Sequence, residues 1–199
     1  MEAAVHVFAS EGYDGATTKA VAEEAGVAEA LIQRYFKGKQ GLLMALMKDF
    51  VAEEIQSCID LPPKAPSLEA EVQSILLHAL TYCAEKKEYI SVAIPRAVVD
   101  RSLGKELGKF LQTMRAPTLA DRLREHQREG SLPADADVEA LSYALALSML
   151  SVGFLGQIVM RLDPKILNRL VKGFAKAFAG TGGLNYLKSR GAAIAKTFS

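Results

Sequence analysis

The sequence has little of what marks a secreted, disordered or strongly polyanion-binding protein. Only two cysteines, Cys58 and Cys83, occur in 199 residues, and no Cys-x-x-Cys pair is present. This pattern favours a reducing cytoplasm over a disulfide scaffold. Seven prolines and 15 glycines, in a chain that is 50% hydrophobic, exclude a disordered or fibrous class. The net charge of +1 provides no global attraction to nucleic acid or anionic membrane. The first residues lack the basic and apolar regions of a secretory signal.

Motifs that carry enzyme chemistry are also missing. The chain has no Gly-x-Ser-x-Gly nucleophile motif and no glycine-rich phosphate loop. Its three histidines, His6, His78 and His126, are isolated and have no second ligand at metal-binding spacing. The sequence therefore predicts no catalytic set, no metal site and no cofactor.

Helical periodicity dominates, and the alternating patterns typical of strands are absent. The pattern predicts an all-α chain with helices at about 2–11, 18–25, 28–36, 39–59, 68–87, 88–100, 103–129, 137–161 and 164–179, and a further short helix within 184–199. Gly12 is expected to end the first helix, Thr17 or Thr18 to cap the second and Ser67 the fifth. Pro62 and Pro63 must follow the end of the fourth helix, so "LPPKAPS" is the clearest boundary in the chain.

Internal prolines give further expectations within the predicted helices. Pro95 is expected to start or kink the sixth helix, and Pro117 to kink the long helix at 103–129. Pro164 suits the first position of the last helix, because proline lacks the N–H that this position leaves unpaired.

The stretch "AEEAGVAEALIQRYF" interrupts a helix at Gly26 and restarts it within three residues. So tight a turn needs a residue that tolerates positive φ. The apolar positions around it, which we expect to be buried where two short helices cross, are Val21, Ala22, Ala25, Val27 and Ile32. This spacing is that of a helix-turn-helix, whose second helix enters the DNA major groove. Helix–glycine–helix turns also occur in many α proteins that do not bind DNA.

The residues around this turn extend the pattern. They include "FASEGY" from Phe8, "TT" at 17–18, "VAEEAGV" at 21–27, "YF" at 35–36 and "KGKQGLL" from Lys37. The segment from Phe8 to Leu43 resembles the N-terminal domain of the TetR family of transcriptional regulators. The resemblance implies a helix-turn-helix DNA-binding domain at 1–48 and a larger helical ligand-binding and dimerisation domain at 49–199.

The resemblance also implies roles for individual residues. Thr17, Thr18 and Lys19 would meet a phosphate at the start of the second helix. Ala28, Glu29, Leu31, Gln33 and Arg34 would face the groove, where Gln pairs with adenine, Arg with guanine, and Glu accepts from cytosine. Tyr35 and Lys39 match positions that hold the DNA backbone.

Three departures from the family pattern affect the DNA-binding prediction. Position 28, usually a Ser or Thr cap, is Ala, and position 33, often Tyr, is Gln. Residues 1–50 contain five lysines and arginines against seven aspartates and glutamates, a net charge of −2, so few cations are available for counterion release. The family usually has a basic arm ahead of the first helix. Met1 falls within that helix here, from which we expect a few residues to be missing before it.

A long apolar stretch near the C-terminus, from Ala140 to Met160, has no charged residue. Its length could cross a membrane, but its serines, glycines and Gln157, and the lack of flanking basic clusters, favour packing inside protein. The resemblance implies that this helix and the next form a four-helix dimer interface. The expected interface residues are Leu150, Phe154, Ile166, Leu170, Phe174 and Phe178.

Several polar and aromatic residues occur among aliphatic ones in the predicted helices that follow the proline-rich segment. A few polar groups in an apolar cavity are what a small-molecule site needs, although Tyr and Met are also ordinary core residues. The candidates for a mostly apolar effector are His78, Tyr82, Tyr89, Arg96, Met114, Tyr143, Met149 and Gln157.

These observations predict a homodimeric, cytoplasmic transcriptional regulator, expected to be a repressor, that binds a double-stranded operator and responds to a small effector. No membrane partner is expected. The competing class is a helical ligand- or protein-binding module of the same fold that does not bind DNA, and the acidic N-terminal segment favours it. An enzyme is the third and weakest alternative.

Overall fold

A computed structural model describes residues 1–180, apart from the side chains of residues 51 and 53–59. All regular elements of this part of the chain are helical, so the predicted all-α class is confirmed. The α-helices are α1 (Glu2–Gly15), α2 (Thr18–Ala25), α3 (Glu29–Phe36), α4 (Lys39–Ile59), α5 (Leu68–Glu85), α6 (Lys87–Val99), α7 (Arg101–Phe110), α8 (Ala116–Arg128), α9 (Val138–Leu150) and α10 (Pro164–Ala179). Two π-helical segments, Leu111–Arg115 and Ser151–Val159, continue α7 and α9. The helix expected within 184–199 lies outside the described residues.

Local capping chemistry explains many helix ends. The Thr17 hydroxyl accepts the backbone N–H of Ala20 at 3.0 Å and caps α2, and the Ser67 hydroxyl accepts the backbone N–H of Ala70 at 3.2 Å ahead of α5. Pro164 is the first residue of α10, as predicted. Helix α4 ends at Ile59, before the proline-rich segment.

Two helix predictions need correction. Gly12 was expected to end the first helix, but α1 resumes after it and reaches Gly15, with Gly12 forming a kink at φ 72° and ψ 153°. The helix predicted at 103–129 begins at Arg101, because the Asp100 carboxylate caps it. Pro117, which was expected to kink this helix, lies in the first turn of α8. The irregularity in the helix lies just before it, in the π-helical segment Leu111–Arg115.

The chain forms two compact units. The first consists of Met1–Asp60 and Glu85–Met114, and the second of residues 61–84 with the chain from Arg115 onward. In the first unit, α1 packs against α2 and α6, and α3 packs against α2 and α4. In the second unit, α8 packs against α9, and α10 packs against the π-helical segment Ser151–Val159. The functional division at residue 48 remains a prediction.

The apolar run forms one continuous helical stretch, Val138–Val159, which is long and apolar enough to cross a membrane. Within its most apolar 18-residue window, 44% is buried inside the chain. Five apolar side chains along it remain exposed, namely Leu147, Leu150, Leu155, Val159 and the adjoining Met160. Residues 1–180 of a single chain therefore cover only part of this stretch.

Candidate nucleic-acid interface

The turn between α2 and α3 is built from backbone hydrogen bonds around Gly26. This residue adopts the left-handed conformation at φ 66° and ψ 31°. Its N–H donates to the carbonyl of Glu23 at 3.2 Å, and the N–H of Val27 donates to the carbonyl of Ala22 at 2.9 Å. This pair of bonds is a Schellman motif, which ends a helix and redirects the chain. Gly26 therefore has the positive φ that the sequence predicted for this turn.

The crossing of α2 and α3 buries fewer side chains than predicted. Val21, Ala22 and Ile32 are buried, as expected. Ala25 and Val27 are exposed, so their predicted burial is wrong. Val27 lies in the turn itself and contributes to an open apolar groove with Leu31 and other residues of the first unit.

The start of α4 is fixed to the end of α1 by the side chain of Lys39. The Lys39 ammonium donates to the carbonyls of Tyr13 at 2.8 Å, Asp14 at 3.2 Å and Ala16 at 2.9 Å. It also lies 4.7 Å from the centroid of the Tyr13 ring. These contacts give Lys39 an internal role, which its sequence position did not indicate, beside the DNA-backbone contact that remains predicted.

Helix α3 projects almost all its side chains outward. Ile32 is its only buried residue. The residues predicted to face or hold DNA on it are exposed, namely Glu29, Leu31, Gln33, Arg34 and Tyr35, and so is Ala28 just before it. Tyr35 is 69% exposed, and the Arg34 guanidinium lies 5.7 Å from its ring centroid. The helix therefore presents groups of suitable chemistry to a partner outside the chain.

The first turns of α2 and α3 lie side by side. The Thr18 hydroxyl donates to the Glu29 carboxylate at 2.5 Å. Lys19 is exposed and lies 3.7 Å from Glu23 in an i,i+4 pair. The structure thus brings Thr18, predicted for phosphate contact, against Glu29, predicted for base contact.

The predicted effector residues fall into both units. His78, Tyr82, Tyr143, Met149 and Gln157 belong to the second unit, and Tyr89, Arg96 and Met114 belong to the first. The Arg96 guanidinium lies 4.5 Å from the Tyr13 ring centroid, with Nη1 3.9 Å from the Asp14 carboxylate. Within the described part of the chain, the buried atoms His78 Nε2 and Gln157 Oε1 have no hydrogen-bond partner.

The predicted interface residues form a partly exposed apolar surface on the second unit. Leu150, Ile166 and Leu170 are exposed. Phe174 and Phe178 are half-buried, with ring centroids 5.7 Å apart. Phe154 is buried within its own unit.

A short exposed helix, held at a left-handed glycine turn against a supporting helix, has the geometry of a helix-turn-helix, the motif of many DNA-binding regulators. Comparison with known proteins supports this class. Residues 1–46 match the family described as "Bacterial regulatory proteins, tetR family". The chain is 33% identical over 176 residues to the HTH-type transcriptional regulatory protein RaaS of Mycobacterium tuberculosis, covering 87% of this chain and 76% of that protein. The chain therefore belongs to the TetR family, and it is a DNA-binding transcriptional regulator and not an enzyme.

Solved structures share the fold. The fatty acid degradation regulator FadR from Bacillus halodurans superposes with a TM-score of 0.72 at 20% identity, covering 90% of this chain and 92% of that one. The transcriptional regulator FadR from Bacillus subtilis, solved in complex with stearoyl-CoA, gives a TM-score of 0.68 at 20% identity, covering 90% and 95%. At this identity the similarity establishes the fold alone.

Proposed function

We propose that the protein is a cytoplasmic, homodimeric repressor that binds a palindromic operator and is released by a small, mostly apolar molecule. The observation that carries the proposal is the exposure of α3, where Gln33 and Arg34 extend from a helix with a single buried side chain. In this proposal residues 1–48 bind DNA, and residues 49–199 bind the effector and form the dimer.

DNA contacts divide into two groups in this proposal. Groups at the start of α2, on α3 and at the start of α4 contact phosphates, and exposed groups on α3 and just before it contact base edges. The phosphate group comprises Thr17, Thr18, Lys19, Tyr35 and Lys39. The base group comprises Ala28, Glu29, Leu31, Gln33 and Arg34. Because Lys39 already donates to three carbonyls, its contribution is expected to be positioning rather than charge.

The dimer would form on the exposed apolar surface of α9, the following π-helical segment and α10. Leu150, Ile166 and Leu170 are solvent-exposed in the single chain, and burial of such a surface favours association. The half-buried Phe174 and Phe178 extend the surface, and Phe154 supports it from below. Two recognition helices in one dimer could then enter successive major grooves, about 34 Å apart.

The proposed effector is a molecule with a long apolar part and a few polar groups, such as an acyl thioester. One structural relative of the same fold was solved in complex with stearoyl-CoA. In this chain, His78 Nε2 and Gln157 Oε1 are buried and without partners among the described residues, and an unpaired buried polar atom is costly until a ligand or water satisfies it. The other candidates are Tyr82, Tyr89, Arg96, Met114, Tyr143 and Met149.

Release from DNA would follow from a population shift. The effector would bind more tightly to a dimer whose recognition helices no longer match successive grooves, and this difference in affinity sets the size of the response. Helix α4, which links the helix-turn-helix to the rest of the chain, would transmit the change.

A gel-shift experiment on the intergenic DNA upstream of the protein's own coding sequence tests DNA binding. We expect a sequence-selective shift that weakens as salt rises. Arg34→Met should abolish it, whereas Lys48→Met, which alters an exposed residue further along α4, should reduce it only modestly. A shift that is neither salt-sensitive nor sequence-selective would refute the proposal.

Addition of stearoyl-CoA to the preformed complex tests the effector class. Release by stearoyl-CoA, but not by coenzyme A alone, is expected. Substitution of His78 by Phe should weaken the response without altering DNA binding in the absence of effector. Equal effects of the two compounds would contradict recognition of the acyl chain.

A further inference from the structure

The hydrogen bond between Thr18 and Glu29 joins the first residues of two helices that face the DNA in the proposed function. Thr18 is the first residue of α2, and Glu29 is the first residue of α3. The Thr18 hydroxyl donates to Glu29 Oε1 at 2.5 Å. The same hydroxyl is a candidate phosphate donor, so the carboxylate competes with DNA for it.

The charge of Glu29 strengthens this competition. A carboxylate is favoured at a helix N-terminus because it interacts well with the helix dipole and the free N–H groups. Those are also the groups that favour a DNA phosphate. Glu29 is the only acidic residue of α3, and residues 1–50 already carry a net charge of −2. A phosphate that approaches this point therefore meets a carboxylate instead of an open anion site.

Base chemistry defines what such a carboxylate can accept. It has acceptor oxygens and no donor when ionised. In the major groove guanine presents two acceptors, thymine an acceptor and a methyl group, adenine an amino donor beside the N7 acceptor, and cytosine an amino donor alone. Guanine or thymine at this point would leave acceptor facing acceptor. Adenine would donate to one carboxylate oxygen but bring its N7 acceptor close to the charge, whereas cytosine would satisfy the carboxylate without an opposing acceptor.

We propose that Glu29 is a specificity-determining residue, which suppresses binding to arbitrary duplex DNA and selects a cytosine at one position of each operator half-site. Loss of the carboxylate is then expected to make DNA binding tighter in general and less selective. This inference rests on the proposed DNA-binding function. It adds the identity of one base in each half-site and assigns a function to one of the acidic residues of the N-terminal segment.

The test compares four full-length proteins: wild type, Glu29→Gln, Glu29→Asp and Glu24→Gln. Glu29→Gln removes the charge and retains the shape, and Glu29→Asp retains the charge at shorter reach. Glu24→Gln is the matched control, because Glu24 is exposed on α2 and lines an open pocket with His6 and Glu88 that does not include Thr18. Each protein selects duplexes from a randomised pool. Fluorescence anisotropy at several salt concentrations then measures binding to the selected duplex and to a scrambled duplex.

Wild type should select a cytosine at a fixed position of each half-site, and replacing that cytosine should weaken its binding by about tenfold. Glu29→Gln should lose this preference and bind the scrambled duplex several-fold more tightly at low salt. Glu29→Asp should keep the low affinity for scrambled DNA but lose part of the cytosine preference. Glu24→Gln should match wild type in sequence preference.

Two results would overturn the inference in distinguishable ways. If wild type selects a sequence and Glu29→Gln selects the same one with the same ratio of affinities, the role of Glu29 is refuted while DNA binding stands. If wild type selects nothing and shows no salt-dependent binding, the proposed function fails, and this inference fails with it.

Discussion

Arg122 on α8 binds Glu71 on α5, with Nε 2.9 Å and Nη2 2.6 Å from the carboxylate Oε1. The second oxygen of Glu71 accepts the backbone N–H of Ala65 at 2.6 Å, and Arg122 Nη2 donates to the carbonyl of Pro62 at 3.0 Å. Glu71 is only 1% exposed. A largely buried ion pair thus fixes the proline-rich segment to the second unit.

Removal of either partner should destabilise the protein. Arg122→Met leaves the buried Glu71 carboxylate without its guanidinium, and Glu71→Gln leaves the largely buried guanidinium without an opposite charge. Each should lower the free energy of unfolding by about 3 kcal/mol. Glu139→Gln breaks the exposed pair with Arg124 and should cost less than about 1 kcal/mol. Urea unfolding measures all three. If all three variants lowered the free energy of unfolding by a similar amount, burial would not explain how much an ion pair contributes to stability.

Lys39 and Lys19 should affect the protein in different ways. Lys39→Met removes three hydrogen bonds to carbonyls of α1 and its C-cap, and should lower the free energy of unfolding by about 1–3 kcal/mol. Lys19→Met, at an exposed position, should leave stability unchanged and reduce the salt slope of DNA binding by about 0.9 for each phosphate that is no longer neutralised. Thermal unfolding and anisotropy titrations in salt separate the two effects. A normal melting temperature for Lys39→Met would argue against its positioning role.

Gly26 should not tolerate a side chain, whereas Gly108 should. Gly26→Ala places a Cβ at φ 66°, which costs roughly 1–2 kcal/mol. Gly108 lies within α7, and a Cβ there would meet no atom within 4 Å. Gly108→Ala should therefore raise stability by about 0.5–1 kcal/mol, because alanine is the better helix former. In urea unfolding, the free energy of unfolding should fall for Gly26→Ala and rise for Gly108→Ala. A change of the same sign in both variants would contradict this account.

Glu129 should give the protein a small acid-sensitive contribution to stability. The Lys64 ammonium donates a hydrogen bond to its carboxylate and lowers the pKa of Glu129 from 4.5. A lowered folded pKa means that the contribution is present above 4.5 and is lost as the pH falls through the folded value. The difference in unfolding free energy between wild type and Glu129→Gln should therefore shrink as the pH falls below 4.5. A difference that is independent of pH would contradict the assignment.

Leu170 should be required for the proposed dimer. It is 48% exposed on α10, and Leu170→Lys would place a charge in the apolar contact, which an interface core disfavours. Light scattering should then show a monomer at concentrations where wild type is a dimer. Leu77→Lys alters a leucine on α5 that is 39% exposed and should leave the dimer intact. A monomeric wild type, or a dimeric Leu170→Lys protein, would refute this surface as the interface.

Features set by neighbouring residues in the sequence could be predicted well. Helices α4 and α10 have the expected bounds, because prolines and a capping residue mark their ends locally. The exposed helix after Gly26 could also be predicted, since the turn depends on one residue's φ.

Features set by distant contacts could not be predicted. The bonds from Lys39 join residues 23 to 26 positions apart, and nothing in the local pattern indicates them. The π-helical segment that contains Gly153 was expected as ordinary helix. A Cβ at Gly153 would collide with Cys83 Sγ on α5, a close approach that periodicity within one helix does not reveal. Arg96 was expected near an effector, and its contact with Tyr13 depends on how α6 packs on α1.

The construction of α3 makes this protein a convenient starting point for altered operator preference. Its direction is set by main-chain bonds at Gly26 and by the single inward side chain of Ile32. The outward positions can therefore be randomised together in a library while the scaffold keeps its stability. Variants retargeted to new promoters should consequently fail through poor base matching far more often than through misfolding.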